Sequence, residues 1–214
     1  MTITVLLADD HAVLREGLHF LLEAEGDIRV IAEARDGRQA VEQAIRHCPQ
    51  VVLMDISMPV LNGIEATQQI CAACPAIRVV ILSMHSDIEY IYRALRAGAN
   101  GYLLKESVSA EVIAAVRSVQ AGRRYLSQKI DETALDAFVQ SHREKSPLES
   151  LTRREREVLQ LIVEGKSSAA IAEILSLSSK TVDTYRSRIM QKLWVHGLPA
   201  LVKFAIQHGV THLE

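Results

Sequence analysis

The stretch VVLMDISMP, residues 51–59, joins an apolar run to an acidic residue and a loop. Its first four residues, 51–54, are typical of a strand that is buried on both faces of a parallel sheet. The run ends at Asp55, and Pro59 follows soon after, so the chain leaves the strand at a carboxylate. Asp55 is therefore predicted to lie at the tip of a buried strand, where a charge requires a chemical reason.

Strand-like and helix-like patterns alternate through the first 122 residues. Strands are predicted at residues 3–8, 28–34, 51–54, 79–83 and 101–104, and helices at residues 12–25, 37–47, 63–73, 87–98 and 108–121. Parallel strands need right-handed crossovers, so five β–α units in a row predict a doubly wound, flavodoxin-like (βα)5 sheet with helices on both faces.

The alternation stops after residue 122. Residues 123–147 are predicted to be a partly helical linker, because one amphipathic stretch is followed by a polar segment that Pro147 closes. Residues 148–214 show only helical patterns, at 152–164, 168–175, 179–193 and 199–208. The chain is thus predicted to be an α/β domain followed by an all-α domain of four helices.

Composition places the chain among ordinary globular proteins. With 214 residues, of which 49% are hydrophobic, and a net charge of −2, it is neither disordered nor fibrous. Residues 148–214 are net basic while the first 124 are net acidic, which hints at an anionic partner for the second part. No apolar window or leader pattern predicts a membrane partner or export, so a cytoplasmic protein with reduced cysteines is expected.

Polar residues stand at the predicted ends of four strands. Asp9 and Asp10 follow the first strand, Asp55 ends the third, Ser83 ends the fourth and Lys105 follows the fifth. Ligands of open α/β sheets bind beyond these ends, so we expect the side chains to meet in one crevice. Three carboxylates there repel one another unless a cation such as Mg²⁺ is bound, although helix capping by Asp9 and Asp10 is an alternative.

A hydroxyl and an ammonium beside acidic groups suit a phosphoryl group. Ser83 offers a hydrogen-bond donor, and Lys105 offers a point charge for phosphate oxygens. With a carboxylate as nucleophile and a metal ion beside it, the strand tips predict a site that holds a covalent phosphate on an aspartate.

Four stretches resemble the signature motifs of bacterial response-regulator receiver domains. They are LLADDHAVLREGL (6–18), VVLMDISMPVLNGIEA (51–66), VVILSMHSD (79–87) and AGANGYLLKES (97–107). The resemblance spans residues 1–122, and it implies that Asp55 accepts a phosphoryl group from a histidine kinase. Such a chain is expected not to be an enzyme beyond Mg²⁺-dependent phosphoryl acceptance and slow autodephosphorylation.

The same resemblance assigns roles to the other strand-tip residues. It implies that Mg²⁺ is held by Asp9, Asp10, Asp55 and the backbone carbonyl of Ser57. It also implies that the phosphate contacts Lys105 and Ser83, and that Tyr102 is the aromatic residue that moves when Ser83 bonds the phosphate.

The second part opens with LTRREREVLQLIVEGKSSAAIAEILSLSSKTVDTYRSRIMQKL, residues 151–193. Thr152 and Glu155 have the spacing of a capping box, and two helices about a short turn, the second with a polar and basic face, predict a helix-turn-helix. By charge alone, that face fits an ordinary solvated helix equally well. Residues 148–210 resemble, however, the LuxR-type helix-turn-helix of the NarL/FixJ class, with Trp194 where relatives usually carry glycine.

This second resemblance implies a DNA-binding helix. Its expected contacts are Lys180, Thr181, Asp183, Thr184, Arg186, Ser187, Arg188 and Lys192. The basic residues would bind phosphates, and Asp183, Thr184 and Ser187 would read base edges in the major groove.

Together the two resemblances imply a transcriptional response regulator whose phosphorylation controls dimerisation and binding to promoter DNA. A homodimer on DNA is expected, and RNA polymerase is a further possible partner. Two alternatives stay open. One is a transcription factor with a passive receiver domain that ignores phosphate, and the other is a phosphatase with an aspartyl nucleophile, although Ser57 stands where such phosphatases commonly carry a second aspartate.

Overall fold

A computed structural model describes residues 2–141 and 147–211 of the chain. The chain divides after Ser141 into two compact units, an α/β unit and an all-α unit. The predicted fold class is confirmed by the sheet order and the helical second unit. Within the described ranges, every helix is too short or too polar to cross a bilayer.

The first unit is a parallel sheet with helices on both faces. In chain order its elements are β1 (Ile3–Ala8), α1 (Ala12–Glu23), β2 (Ile28–Ala34), α2 (Gly37–His47), β3 (Val51–Asp55), α3 (Gly63–Ala73), β4 (Arg78–Ser83), α4 (Ile88–Arg96), β5 (Gly101–Leu104), α5 (Val108–Gln120), β6 (Tyr125–Leu126) and α6 (Glu132–Ser141). The strand order is β2-β1-β3-β4-β5-β6, and all pairs are parallel.

Two apolar layers cover this sheet. Every residue of β3 is buried, as the uninterrupted apolar run predicts for a strand covered on both faces. One layer packs α1 and α5 against the sheet, and the other packs α2, α3, α4 and α6 against the opposite face. The central strands are therefore held rigidly, and so are the residues at their carboxyl ends.

Residues 125–141 pack as part of the first unit, whereas the sequence predicted a linker from residue 123. β6 extends the sheet beyond β5, and the Ser127 hydroxyl donates to the buried Glu111 of α5 at 2.9 Å. Leu135 of α6 is fully buried, and the ring of Phe138 lies 5.6 Å from that of Tyr92 on α4. The pattern was amphipathic because α6 has a face to bury; the polar stretch 142–146 lies outside the described residues.

The second unit is a small helical domain. Its helices are α7 (Arg153–Val163), α8 (Ser168–Leu175), α9 (Ser179–Leu193) and α10 (Leu198–Gln207). The expected capping box is present, because the Thr152 hydroxyl accepts from the Glu155 N–H while Glu155 accepts from the Thr152 N–H at 2.7 Å. Val158, Ile171 and Ile189 bring three of the helices into one apolar core, which leaves the opposite side of α9 in solvent.

Candidate functional site

The register of the sheet brings the polar strand tips to one edge. Ala8 of β1 pairs with Met54 of β3, so the next residues, Asp9 and Asp55, are neighbours. Ser83 of β4 pairs with Leu104 of β5, which places Lys105 directly beyond it. Four adjacent strands thus end in the groups that the sequence predicted to converge.

These groups form a buried ion cluster. The Lys105 ammonium nitrogen lies 2.9 Å from a carboxylate oxygen of Asp9 and 2.9 Å from one of Asp55. Asp9 and Asp55 are each 1% exposed, whereas the side chain of Asp10 is 35% exposed. One edge of the cluster is therefore open to solvent, and a ligand can reach it at Asp10.

The charges in the cluster perturb one another. Burial and the negative charge of Asp9 raise the pKa of Asp55 above its ordinary value, against the opposing effect of Lys105 and of the Ser57 N–H. Burial disfavours the charged form of Lys105, yet Asp55 and Asp9 outweigh it, and the pKa of Lys105 is raised. One ammonium thus does not fully offset the carboxylates, and a further cation would be stabilised here.

The donor atoms suit a divalent cation. Asp9, Asp10, His11 and Asp55 each offer a ligand atom, and these atoms lie within 4.8 Å of one another. Carboxylate oxygens beside an open edge, which leaves room for water or phosphate oxygens, are the ligands that Mg²⁺ prefers. The Ser57 N–H donates to the Asp55 carboxylate at 3.3 Å, so the expected carbonyl ligand is on a residue that already contacts the cluster.

His11 is a member of the cluster that the sequence did not predict. Its imidazole Nδ1 lies 2.9 Å from the Asp10 carboxylate and 3.0 Å from that of Asp9. The residue follows the acidic pair directly, and this was the available signal. Sequence could not show that the ring folds back over the pair instead of pointing into solvent.

Ser83 and Tyr102 share a contact with one backbone segment. The Ser83 hydroxyl accepts from the His85 N–H at 3.0 Å, and the Tyr102 hydroxyl donates to the His85 carbonyl at 2.8 Å. Tyr102 is fully buried, and its burial raises the pKa of its phenol. The imidazole of His85 in turn stacks on the Tyr90 ring of α4 at 4.6 Å. The two expected switch residues are thus joined to α4 through His85.

The outer face of α9 carries most of the expected DNA-contact residues. Lys180, Asp183, Thr184, Ser187 and Arg188 are exposed, while Thr181 and Arg186 are half-buried. A concavity of about 350 Å³ is lined by Ser178, Lys180, Thr181, Thr184, Tyr185 and Arg188. Exposed cationic side chains suit DNA phosphates, and exposed hydroxyl side chains suit base edges in a DNA groove.

Asp183 and Lys192 have side-chain partners on other helices of the domain. Asp183 accepts a hydrogen bond from the Ser168 hydroxyl at 2.8 Å, so this carboxylate ties α9 to the first residue of α8. The Lys192 ammonium lies 2.7 Å from the Glu155 carboxylate and donates to the Ser150 carbonyl at 3.1 Å. The positive charge of Lys192 therefore faces a carboxylate of α7.

The chain is similar to known proteins along nearly its whole length. Residues 5–117 match the response regulator receiver domain, and residues 149–205 match the LuxR family of bacterial regulatory proteins. The response regulator UvrY of Escherichia coli (strain K12) is 37% identical over 212 residues, which cover 99% of this chain and 97% of UvrY.

Two further proteins extend this similarity. The oxygen regulatory protein NreC of Staphylococcus carnosus (strain TM300) is 37% identical over 209 residues, covering 95% of this chain and 96% of NreC. A solved structure of two RcsB dimers bound to two parallel DNAs aligns with a TM-score of 0.61 at 25% identity, covering 97% of this chain and 99% of the RcsB chain.

Proposed function

This chain belongs to the response regulators that join a receiver domain to a LuxR-type DNA-binding domain, and from that premise we propose how its two sites work together. It is a transcriptional regulator of a two-component system. We propose that Asp55 accepts a phosphoryl group from a histidine kinase in the cytoplasm, and that this phosphorylation controls dimerisation and promoter binding.

The convergence of Asp9, Asp55 and Lys105 supports Asp55 as the acceptor. Asp55 is the central carboxylate, because it ends a middle strand and lies 2.9 Å from the ammonium of Lys105. In the proposed step a carboxylate oxygen of Asp55 attacks phosphorus, a P–O bond forms, and the P–N bond to the kinase histidine breaks. Lys105 stabilises the charge on the transferred oxygens, and the protein otherwise contributes positioning.

Mg²⁺ is the proposed cofactor of this step. We assign its ligands to Asp10, to Asp55, to the backbone carbonyl of Ser57 and, through water, to Asp9. Bound Mg²⁺ would supply positive charge that offsets the carboxylates and the phosphoryl oxygens. The chain's own chemistry is limited to accepting the phosphoryl group and slowly losing it to water.

His85 supports a route from Asp55 to α4. Ser83 is the hydroxyl donor expected to bond a phosphoryl oxygen on Asp55, and its oxygen now accepts from the His85 N–H. A change at Ser83 would shift His85, whose carbonyl holds Tyr102 and whose ring lies on Tyr90. The face of α4 would therefore change on phosphorylation.

DNA binding is assigned to the outer face of α9. We propose that Lys180, Arg186 and Arg188 bind phosphates and that Thr181, Thr184 and Ser187 face base edges. Asp183 and Lys192 are assigned to the packing of α9 against α8 and α7, because their charged groups are engaged there. A dimer that presents two such helices is the natural reader of paired half-sites, and the related RcsB binds DNA as dimers.

The acceptor is tested by Mg²⁺-dependent labelling with a small phosphodonor such as acetyl phosphate, followed by intact-mass measurement. We expect one phosphoryl group on the wild-type chain and none on Asp55→Asn. Asp131→Asn is the control, because asparagine still caps α6 and the site is untouched. Labelling of Asp55→Asn to the wild-type level would contradict the assignment.

Assembly is tested on the full chain by light scattering with and without beryllofluoride and Mg²⁺. Beryllofluoride binds to an acceptor aspartate and mimics the phosphoryl group. We therefore expect it to shift the chain towards a dimer. An unchanged mass, together with unchanged affinity for DNA, would favour the alternative in which the receiver is passive.

A further inference from the structure

Arg15 is a buried cation of the first unit that the proposed chemistry does not use. It lies on α1 and is 5% exposed. Arginine is rarely buried without hydrogen-bonded partners, because an unpaired charge in the interior is strongly destabilising. Its partners therefore indicate what the residue holds in place.

One partner is the backbone of the acidic turn. The Nη1 of Arg15 donates to the carbonyl oxygen of Asp9 at 2.8 Å. This carbonyl belongs to the planar peptide unit that links Asp9 to Asp10, so its direction sets the orientation of both residues. A donor that holds this carbonyl therefore constrains the backbone from which both carboxylates project.

The other partner anchors the arginine to the sheet. The Nε of Arg15 donates to the Glu33 carboxylate at 2.8 Å, and Glu33 lies on β2, next to β1. The second oxygen of Glu33 lies 2.9 Å from His19 Nδ1. Although burial acts to raise the pKa of Glu33, His19 and Arg15 outweigh it and lower the pKa, so the carboxylate stays charged. The planar guanidinium of Arg15 is therefore held by two hydrogen bonds, one to Glu33 and one to the Asp9 carbonyl.

The remaining hydrogen bonds of the turn leave that carbonyl to Arg15. The Asp9 N–H donates to the Ala34 carbonyl at 3.2 Å, and the His11 N–H donates to the Asp9 carboxylate at 2.8 Å. The first bond holds the entry to the turn, and the second holds one side chain. The Arg15 contact holds the peptide unit between Asp9 and Asp10.

We propose that Arg15 is a positioning residue for the metal site, which acts by locking the Asp9–Asp10 peptide unit so that both carboxylates point at one cation. This inference rests on the proposed Mg²⁺ site. Groups that orient metal ligands without touching the metal typically change metal affinity by 10–100-fold when they are replaced. Arg15 would therefore set the Mg²⁺ concentration at which Asp55 can be labelled.

The test compares Mg²⁺ binding by calorimetry in wild type, Arg15→Gln and Glu33→Gln. We expect Arg15→Gln to weaken Mg²⁺ binding about tenfold or more, and Glu33→Gln to weaken it by a smaller factor, because the Arg15 guanidinium remains but keeps only a neutral acceptor at residue 33. The double variant Arg15→Gln/Glu33→Gln should bind Mg²⁺ no more weakly than Arg15→Gln alone, since both residues act through the same series of contacts.

Labelling kinetics separate positioning from general stability. In Arg15→Gln the Mg²⁺ concentration for half-maximal labelling by acetyl phosphate should rise by the same factor, while the maximal rate at saturating Mg²⁺ stays within about twofold of wild type. Arg117→Gln is the matched control, because Arg117 also pairs with carboxylates of the first unit, but these belong to Glu25 and Asp27 and not to the acidic turn. It should leave Mg²⁺ binding unchanged.

Each outcome decides between the claims. If wild type binds no Mg²⁺, the proposed metal site fails and this inference fails with it. If wild type binds Mg²⁺ and both single variants bind it within twofold of wild type, only the inference is overturned, even where their melting temperatures fall. If Arg15→Gln does not fold, Glu33→Gln alone carries the decision.

Discussion

The acidic cluster of the first unit and the basic face of α9 in the second are built in opposite ways. The cluster takes its residues from the carboxyl ends of three separate strands, β1, β3 and β5, and its central carboxylates are buried. The α9 face takes its residues from successive turns of one helix, and most of them are exposed. The first therefore depends on packing across the whole sheet, whereas the second needs only a folded helix with an apolar side.

A lysine in each unit makes this difference measurable. Lys105 and Lys192 both lie within 3 Å of a carboxylate that is almost fully buried. The side chain of Lys105 is 9% exposed and serves two carboxylates, whereas that of Lys192 is 36% exposed and serves one. The two lysines have similar distances to their carboxylates, but we expect the Lys105 pairs to contribute more to stability, because solvent screens the Lys192 pair.

Removing the ammonium of the acidic cluster should have the largest effect. We expect Lys105→Met to lower the free energy of unfolding of the first unit by about 3–5 kcal/mol at neutral pH, since two buried carboxylates lose their cation. Hydrogen exchange with mass spectrometry reports each unit of the full chain separately. Lys129→Met is the control, because its pair with Glu106 is exposed at both ends.

The effect of Lys105→Met should depend on pH. The pKa of Asp55 is already raised in the folded state, and loss of Lys105 raises it further. A raised carboxyl pKa contributes stability at low pH that is lost as pH rises through the folded value, so the variant approaches wild type as Asp55 is protonated. If the difference in free energy of unfolding between Lys105→Met and wild type stays constant from neutral pH into the acid range, repulsion at Asp55 is not the cause of the lost stability.

Truncation of Leu135 tests whether α6 belongs to the first unit. Because Leu135 is fully buried, Leu135→Ala should lower the free energy of unfolding of that unit by about 2–5 kcal/mol and leave the second unit unchanged. Val139→Ala, at a site that is 41% exposed on the same helix, should cost less than about 0.5 kcal/mol. Equal effects of the two changes would mean that α6 behaves as a free linker.

Charge removal on α9 should alter DNA binding without altering the fold. Lys180→Ala and Arg188→Ala are each expected to reduce the slope of log affinity against log salt by about one on a mixed-sequence duplex, as one phosphate contact is lost. Lys192→Ala should leave the slope unchanged, because its charge is directed at Glu155. A reduced slope for Lys192→Ala would return that residue to the DNA interface.

The smallest expected effect comes from the cap of α7. Thr152→Ala removes the hydroxyl that accepts from the Glu155 N–H, and should lower the free energy of unfolding of the second unit by about 1 kcal/mol. Thermal denaturation followed by circular dichroism checks it, with Thr152→Ser as the control that keeps the hydroxyl. An equal loss in Thr152→Ser would point to packing of the methyl group and not to the cap.

Much of this architecture could be predicted from local patterns. β3 was recognisable because every one of its side chains is buried, which leaves an uninterrupted apolar run. α7 was recognisable because its capping box and apolar spacing lie within a few residues of one another. The position of α6 could not be predicted in the same way, since an amphipathic stretch predicts a helix with one buried face but not the element against which that face packs.

By itself, the sequence determined the order of strands and helices, the polar residues at the strand tips, and the exposed side of α9. These follow from periodicity, and from the rule that parallel strands end at the same edge. Only the tertiary structure decided that Lys105 lies between Asp9 and Asp55, that Arg15 reaches the carbonyl of Asp9, and that Lys192 turns towards Glu155. The reason is physical: an ion pair depends on distances of a few ångströms between elements, and local sequence patterns do not specify those distances.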